Sequence, residues 1–147
     1  MDVILKIVSS NELLNIRSKV LRKNAIHENC KFDGDNKKSS IHIGAYINAK
    51  IVGGISIIKN NSKYKELKNC YQLRGMCVLN NFQNNGIGNK ILKVAEKQSK
   101  ILGVNNIWMN ARIKAADFYI KSNYIDLGIR YKIKGIGLHC FLYKELK

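Results

Sequence analysis

The sequence predicts a mixed α/β (α+β) fold of about seven strands and three helices, in the order β-α-β-β-β-α-β-α-β-β. Three observations predict it. Apolar runs of strand length recur along the chain, the first of them alternating apolar and polar residues. Helix-period patterns fall between them, most clearly over 87–102. A glycine turn, Gln83-Asn84-Asn85-Gly86-Ile87-Gly88, joins a strand-like run to that helix. The 147 residues suit one domain with a single core, 1–147, and 46% hydrophobic content is ordinary for a globular protein. No internal repeat, linker or low-complexity tail interrupts it.

Each element has its own warrant. Residues 3–8 alternate well enough for a first strand. Ser9-x-x-Glu12 reads as a capping box, so a helix starts there. Leu13, Ile16 and Val20 share one face of it, with Leu14 and Leu21 alongside. Residues 23–40 are polar and irregular, with Asp33-Gly34-Asp35 as a turn. Residues 41–47 and 51–59 read as a hairpin around Asn48-Ala49-Lys50. A polar loop, 60–69, precedes a strand at 70–79. In the helix after the glycine turn, Ile87, Ile91, Val94, Ala95 and Leu102 line one face, Lys90, Lys93, Lys97 and Lys100 the other, and Gly103 ends it. A short strand at 106–111 and a short helix at 115–122 follow, with Asn123 as a left-handed cap. Two closing strands, 128–136 and 138–146, surround Gly135 and Gly137.

Composition narrows the function. No apolar run approaches a membrane span, and Asp2 and Lys6 spoil a signal-peptide pattern, so a cytoplasmic location is expected. Cys30, Cys70, Cys77 and Cys140 form no C-x-x-C pair and read as buried reduced thiols. His27 and Cys30 are close, but two ligands do not make a metal site, and none is expected. The formal charge is +16, from 26 basic and 10 acidic residues. Most of the basic residues are lysine, accompanied by abundant Asn and Ile, which points to compositional drift. Arginine is scarce and no basic run reaches five residues, so nucleic acid is not the expected main ligand.

The glycine turn carries the chemistry. A helix start leaves backbone N–H groups aimed at one spot, which suits a phosphate. A Walker loop requires Gly-Lys-Ser/Thr, whereas Gly88 is followed by Asn89 and Lys90. A dinucleotide fingerprint requires three spaced glycines and a later acidic residue, and only two glycines are present.

The strand, Gln83-x-x-Gly86-x-Gly88 and the helix resemble motif A of the GNAT N-acetyltransferase superfamily. Asn110-Ala111-Arg112-x-x-Ala115-x-x-Phe118-Tyr119-x-Lys121 resembles that family's second signature. Leu138-His139-Cys140-Phe141-Leu142-Tyr143-Lys144-Glu145-Leu146 resembles its last strand. Val20-Leu21-Arg22 and His42-Ile43-Gly44-Ala45 are similar to a subgroup of small bacterial members known only in general terms. There are departures. Asn80 stands where the family often has proline, and Asn84-Asn85 replaces a common Gly-Lys/Arg, with Lys90 and Lys121 as nearby substitutes for the lost cation. Asn123-Tyr124 replaces a common Gly-Phe.

The resemblance implies a central, mostly antiparallel sheet, acetyl-CoA as donor, and direct transfer to a small-molecule or peptide primary amine in a ternary complex. It also implies roles. Gln83, Asn84, Asn85, Gly86, Ile87, Gly88 and Asn89 would wrap the pyrophosphate through backbone N–H groups. The backbone of Met76, Cys77 and Val78 would pair with the pantetheine arm. One of those N–H groups would polarise the thioester carbonyl. Asn110 would hold the cofactor from the other side, and Tyr119 would bind it and protonate the departing thiolate. The strand at 70–79 offers Gln72 and Arg74 but no carboxylate for the base. His139 and His42 are the alternatives. Asp33 and Asp35 read as a polar turn or as an attractor for a cationic amine. A monomer or a homodimer fits the family. The rival reading is a non-catalytic module on the same fold, sensing CoA or binding nucleic acid.

Overall fold

The computed structural model describes residues 2–146; the expected domain, 1–147, reaches one residue past these at each end, outside the described residues. The chain runs β1 (Ile4–Val8), α1 (Asn11–Leu21), β2 (Ile41–Ile47), β3 (Lys50–Lys59), β4 (Cys70–Val78), α2 (Ile87–Ile101), β5 (Asn106–Arg112), α3 (Ala116–Ile120), β6 (Ile125–Ile133) and β7 (Gly137–Glu145). The seven strands form one sheet in the order β1-β2-β3-β4-β5-β7-β6. Every neighbouring pair is antiparallel except β4 and β5, which are parallel.

Two adjacent glycines show how the layers meet. Successive strand residues point to opposite faces. A Cβ on Gly53 would lie 2.9 Å from Ile91 of α2, and one on Gly54 would lie 2.7 Å from Leu13 of α1. The two helices therefore press on opposite faces of β3, at a distance only glycine permits. Ile87, Ile91, Leu92 and Ala95 of α2 are buried against Ile43, Ile55 and Ile57. Leu13 and Ile16 of α1 are buried with Cys77. All four cysteines are buried and free.

Local details depart from the sequence expectations. The capping box does not form. Ser10, not Ser9, precedes the helix, and it already has helical backbone angles without a side-chain cap. Its hydroxyl bonds Asn36 instead, and Ser9 contributes only its carbonyl, to the Glu12 N–H at 3.1 Å. The hairpin turn is tighter than expected. Asn48 and Ala49 both have positive φ, 50° and 64°, and Lys50 already belongs to β3. The helix expected at 115–122 is a 3-10 turn at Ile113–Ala115 followed by α3. The sixth strand begins at Ile125 rather than 128. Gly128, at φ 82°, does not start it but sits in an irregularity between Asp126 and Arg130, where its N–H donates to the Asp126 carboxylate at 2.9 Å. Two further 3-10 turns, His27–Cys30 and Asn80–Phe82, carried no periodic signal.

Candidate active site

The site begins where β4 leaves β5. The two pair only over Cys70–Gln72 and Asn106–Trp108. Beyond that the strands separate, and among the described residues the β5-facing edge of β4 has no ladder partner from Leu73 to Val78. On its other side β4 stays paired with β3 as far as Val78, with a register shift opposite Gly54 and Ser56. The extra residue falls at Gly75 and Met76, and Gly75 is left-handed at φ 69°. A bulge of this kind bends a strand and re-aims its backbone groups. A Cβ on Gly75 would lie 2.7 Å from the Phe32 ring, so glycine also admits that ring.

The glycine turn follows directly. Gln83 does not point outward: its amide donates to the Val78 carbonyl at 2.9 Å and to Asn80 at 3.1 Å, strapping the turn to the strand. Asn84 and Gly86 are left-handed, at φ 64° and 77°. Gly86 is the residue before α2 and brings no side-chain cap. The first helical bond runs from the Lys90 N–H to the Gly86 carbonyl at 3.2 Å. The N–H groups of Gly86, Ile87, Gly88 and Asn89 thus have no partner within the helix. A Cβ on Gly86 would meet nothing within 4 Å, so the turn opens outward there.

These two features bound a cleft of about 830 Å³. Met76, Cys77 and Val78 form one wall. Gln83, Asn84, Gly86, Ile87, Gly88 and Asn89 form the other, and Phe118 and Tyr119 close the end near α3. Two of the expected cofactor residues, Asn85 and Asn110, are not among those that line the cleft. Asn85 turns its amide back onto the Phe82 and Gln83 carbonyls, at 3.3 and 3.1 Å. Asn110 accepts a hydrogen bond from the Tyr131 hydroxyl and lines other concavities. The cleft's cations are also different: Lys114 and Arg112 line it, whereas Lys90 and Lys121 do not. Arg112 was visible in the second motif without a role, and Lys114 carried no signal.

A second, smaller cavity of about 160 Å³ adjoins the cleft. The two share Leu21, Met76, Arg112, Ala115 and Tyr119. Tyr119 is 7% exposed and packs edge-on against Phe118 and Tyr124, with ring centroids 5.0 and 5.8 Å away. Burial, and then the neighbouring Cys77, push its phenol well above its ordinary pKa, so it carries a proton at neutral pH. Burial likewise pushes the Cys77 thiol up to about 12, which keeps it an inert wall residue.

Gln72, Arg74 and His139 also line this smaller cavity. His139 is 4% exposed, and its Nδ1 lies 2.8 Å from the Gly137 carbonyl. A carbonyl only accepts, so Nδ1 carries the proton and Nε2 keeps its lone pair in the neutral ring. His42 is in a different place. It is buried, with Nδ1 2.7 Å from the Ser56 hydroxyl and Nε2 2.8 Å from the Asp35 carbonyl. Asp35 is likewise committed, to a two-pronged pair with buried Arg17 at 2.7 and 3.0 Å. Neither His42 nor Asp35 faces the cavity, and Asp33 lines a separate concavity beside α1.

Comparisons with known proteins give the family and the fold. Residues 9–141 match the acetyltransferase (GNAT) domain. The chain is 30% identical over 142 residues to YitI of Bacillus subtilis (strain 168), an uncharacterised N-acetyltransferase, covering 97% of this chain and 95% of that one. An aminoglycoside 6'-N-acetyltransferase complexed with coenzyme A superposes with a TM-score of 0.77 at 15% identity, covering 98% of this chain and 97% of that one. The ribosomal-protein-S18-alanine N-acetyltransferase from Escherichia coli superposes with a TM-score of 0.78 at 13% identity, covering 99% and 95%. At these identities the solved structures speak for the fold. This chain belongs to the GNAT acetyltransferase family: it is an acyltransferase, with acetyl-CoA as its cosubstrate.

Proposed function

We propose that the protein moves the acetyl group of acetyl-CoA directly to a primary amine, with Tyr119 as the general acid. The observation that carries this reading is the position of Tyr119, protonated and buried, at the junction of the large cleft and the small cavity. The cleft fits the donor. Four helix-start N–H groups without helical partners, next to a glycine whose Cβ direction is open, suit a pyrophosphate. Lys114 and Arg112 add positive charge along the same cleft. The free edge of β4 at Met76, Cys77 and Val78 suits an extended pantetheine arm.

Acetyl-CoA supplies its acetyl group as a thioester, whose C–S bond breaks as the amine nitrogen bonds to the carbonyl carbon. A backbone N–H from the β4 edge polarises the carbonyl oxygen. Tyr119 donates its proton to the thiolate. His139, through its free Nε2 or a water on it, accepts the proton that the amine loses. The proton taken from the amine balances the one given to sulfur, so the products are an N-acetyl amine and free CoA thiol. A cytoplasmic location and a monomer or homodimer with one site per chain belong to the same proposal. Release of CoA thiol in the presence of a panel of amino acids, amino sugars, polyamines, aminoglycosides and peptides tests it. Turnover with at least one primary amine is expected. Acetyl-CoA binding without transfer to any of them overturns it.

A further inference from the structure

We propose that the smaller cavity accepts a small primary amine that also carries an oxyanion, a carboxylate or a phosphate, and that Arg74 and Arg22 bind that oxyanion. The inference deepens the acetyl-transfer reading and rests on it for the identity of the reacting amine.

The arginines carry the argument. The chain has five among its 26 basic residues. Four of them, from α1, the segment after it, β4 and the end of β5, gather in one place. Arg17, Arg74 and Arg22 lie over the Phe32 ring, with guanidinium carbons 3.8, 4.2 and 5.7 Å from its centroid. Arg22, Arg74, Arg112 and Phe32 then line the cavity.

The charge there is not compensated. Asp35 is taken by Arg17, and no Asp or Glu lines the cavity. Among the described residues, Arg74 makes no ion pair, and its guanidinium stacks on Phe32. Arg22 and Arg112 both donate to the Leu21 carbonyl, at 3.2 and 3.0 Å, a neutral acceptor at the end of α1. Burial, and then Arg22 and Arg17, hold Arg74 below its ordinary pKa, and the opposing pull of Asp35 and Asp33 is smaller. Burial, and then Arg112, do the same to Arg22.

Guanidinium groups drawn together and half-desolvated repel one another until an anion joins them. Their planar forks match a carboxylate or a phosphate edge, which lysine does not reproduce. The same field opposes a polycation, so polyamines and aminoglycosides are poor acceptors. A cavity of about 160 Å³ suits a small amine.

Matched probes test this on the full chain saturated with CoA. Glucosamine 6-phosphate is compared with glucosamine, and each of several amino acids with its amide, by calorimetric binding and by CoA release with acetyl-CoA. The anionic member of at least one pair should bind at least about tenfold tighter and show a correspondingly higher kcat/KM, the gain expected from one or two charge-assisted bonds. The phosphate and carboxylate arms distinguish the two oxyanions. Arg74→Gln should erase most of that preference through KM, with acetyl-CoA affinity within twofold. Arg22→Gln is the second variant if Arg74→Gln does not fold. Equal binding of both members in every pair, a preference for spermidine, or a preference that survives both substitutions overturns the inference. Anion-dependent binding without any acetyl transfer retains it and overturns the transfer reading instead. Transfer to neutral and anionic amines alike does the reverse.

Discussion

The proposed donor cleft and the smaller cavity share a wall but are built from different materials. The cleft is mainly backbone: helix-start N–H groups, an unpaired strand edge and left-handed turn residues. The cavity is mainly side chains: Arg22 and Phe32 from the segment after α1, Arg74 from β4, Arg112 from the end of β5 and Tyr119 from α3. A backbone site needs residues that stay out of the way, and glycine at fixed spacing records that need within a few positions. A side-chain site needs groups that meet only after folding, and no local pattern records it.

The largest effect is expected where the two regions touch. Tyr119→Phe should lower kcat by about 10²–10⁴-fold, the usual contribution of a positioned acid, while acetyl-CoA affinity stays constant. Steady-state kinetics with direct binding check this. Weakened binding at unchanged kcat would move Tyr119 from the junction into the cleft wall.

The next test separates the cavity's frame from the cavity. Asp35→Ala leaves Arg17 buried and unpaired and should cost about 3–5 kcal/mol in denaturant unfolding. Burial pushes the Asp35 carboxyl up, but the Arg17 hydrogen bonds and the Phe32 N–H hold it below its ordinary value. A depressed carboxyl stabilises the fold above its unfolded pKa and loses that contribution as pH falls through the lower, folded one. Acid titration of stability should therefore steepen below about pH 4, and Asp35→Asn should flatten that limb. An unaltered acid limb would exclude Asp35 from the pH response.

Acetyl-CoA at a hundredfold excess over its Kd should raise unfolding stability by about 2.7 kcal/mol. No thermal shift at millimolar cofactor would sink the cleft as the donor site. The smallest effect is local. Gly86→Ala forces a Cβ into a left-handed conformation, at about 1–2 kcal/mol. It should also weaken acetyl-CoA binding, because the new methyl enters the open side of the turn. Stability loss without any change in binding would mean that the turn shapes the fold and not the ligand.

Much of the fold was legible. The element order, the hairpin, the helix expected over 87–102 and found over Ile87–Ile101, and the left-handed cap at Asn123 follow from period and turn chemistry. Errors cluster at boundaries. Ser9 and Glu12 have the spacing of a capping box, but Asn36 and Tyr46 compete for Ser10 and Glu12 from 26 and 34 residues away. The strand expected from 128 starts at Ile125, because the Asp126 carboxylate holds the Gly128 N–H and Arg130 in a bulge that the strand runs through. In the site, ten of the expected cofactor residues line the cleft, and Tyr119 and His139 line the smaller cavity. Asn85 and Asn110 are not among the residues that line the cleft; the Asn85 side-chain amide bonds the Phe82 and Gln83 carbonyls, and the Asn110 side chain accepts from Tyr131.

By itself, the sequence determined the helix start proposed for the donor: Gly86 and Gly88, the strand before them and the amphipathic helix after them act within about twenty residues of one another. Only the tertiary structure decided the rest. The parting of β4 from β5 depends on a bulge whose register is set by β3. The arginine ring depends on Phe32 crossing above Gly75 and on Asp35 committing to Arg17 rather than to Arg74. Those are competitions between residues far apart in the chain, settled by packing and desolvation, and a single sequence does not carry their outcome.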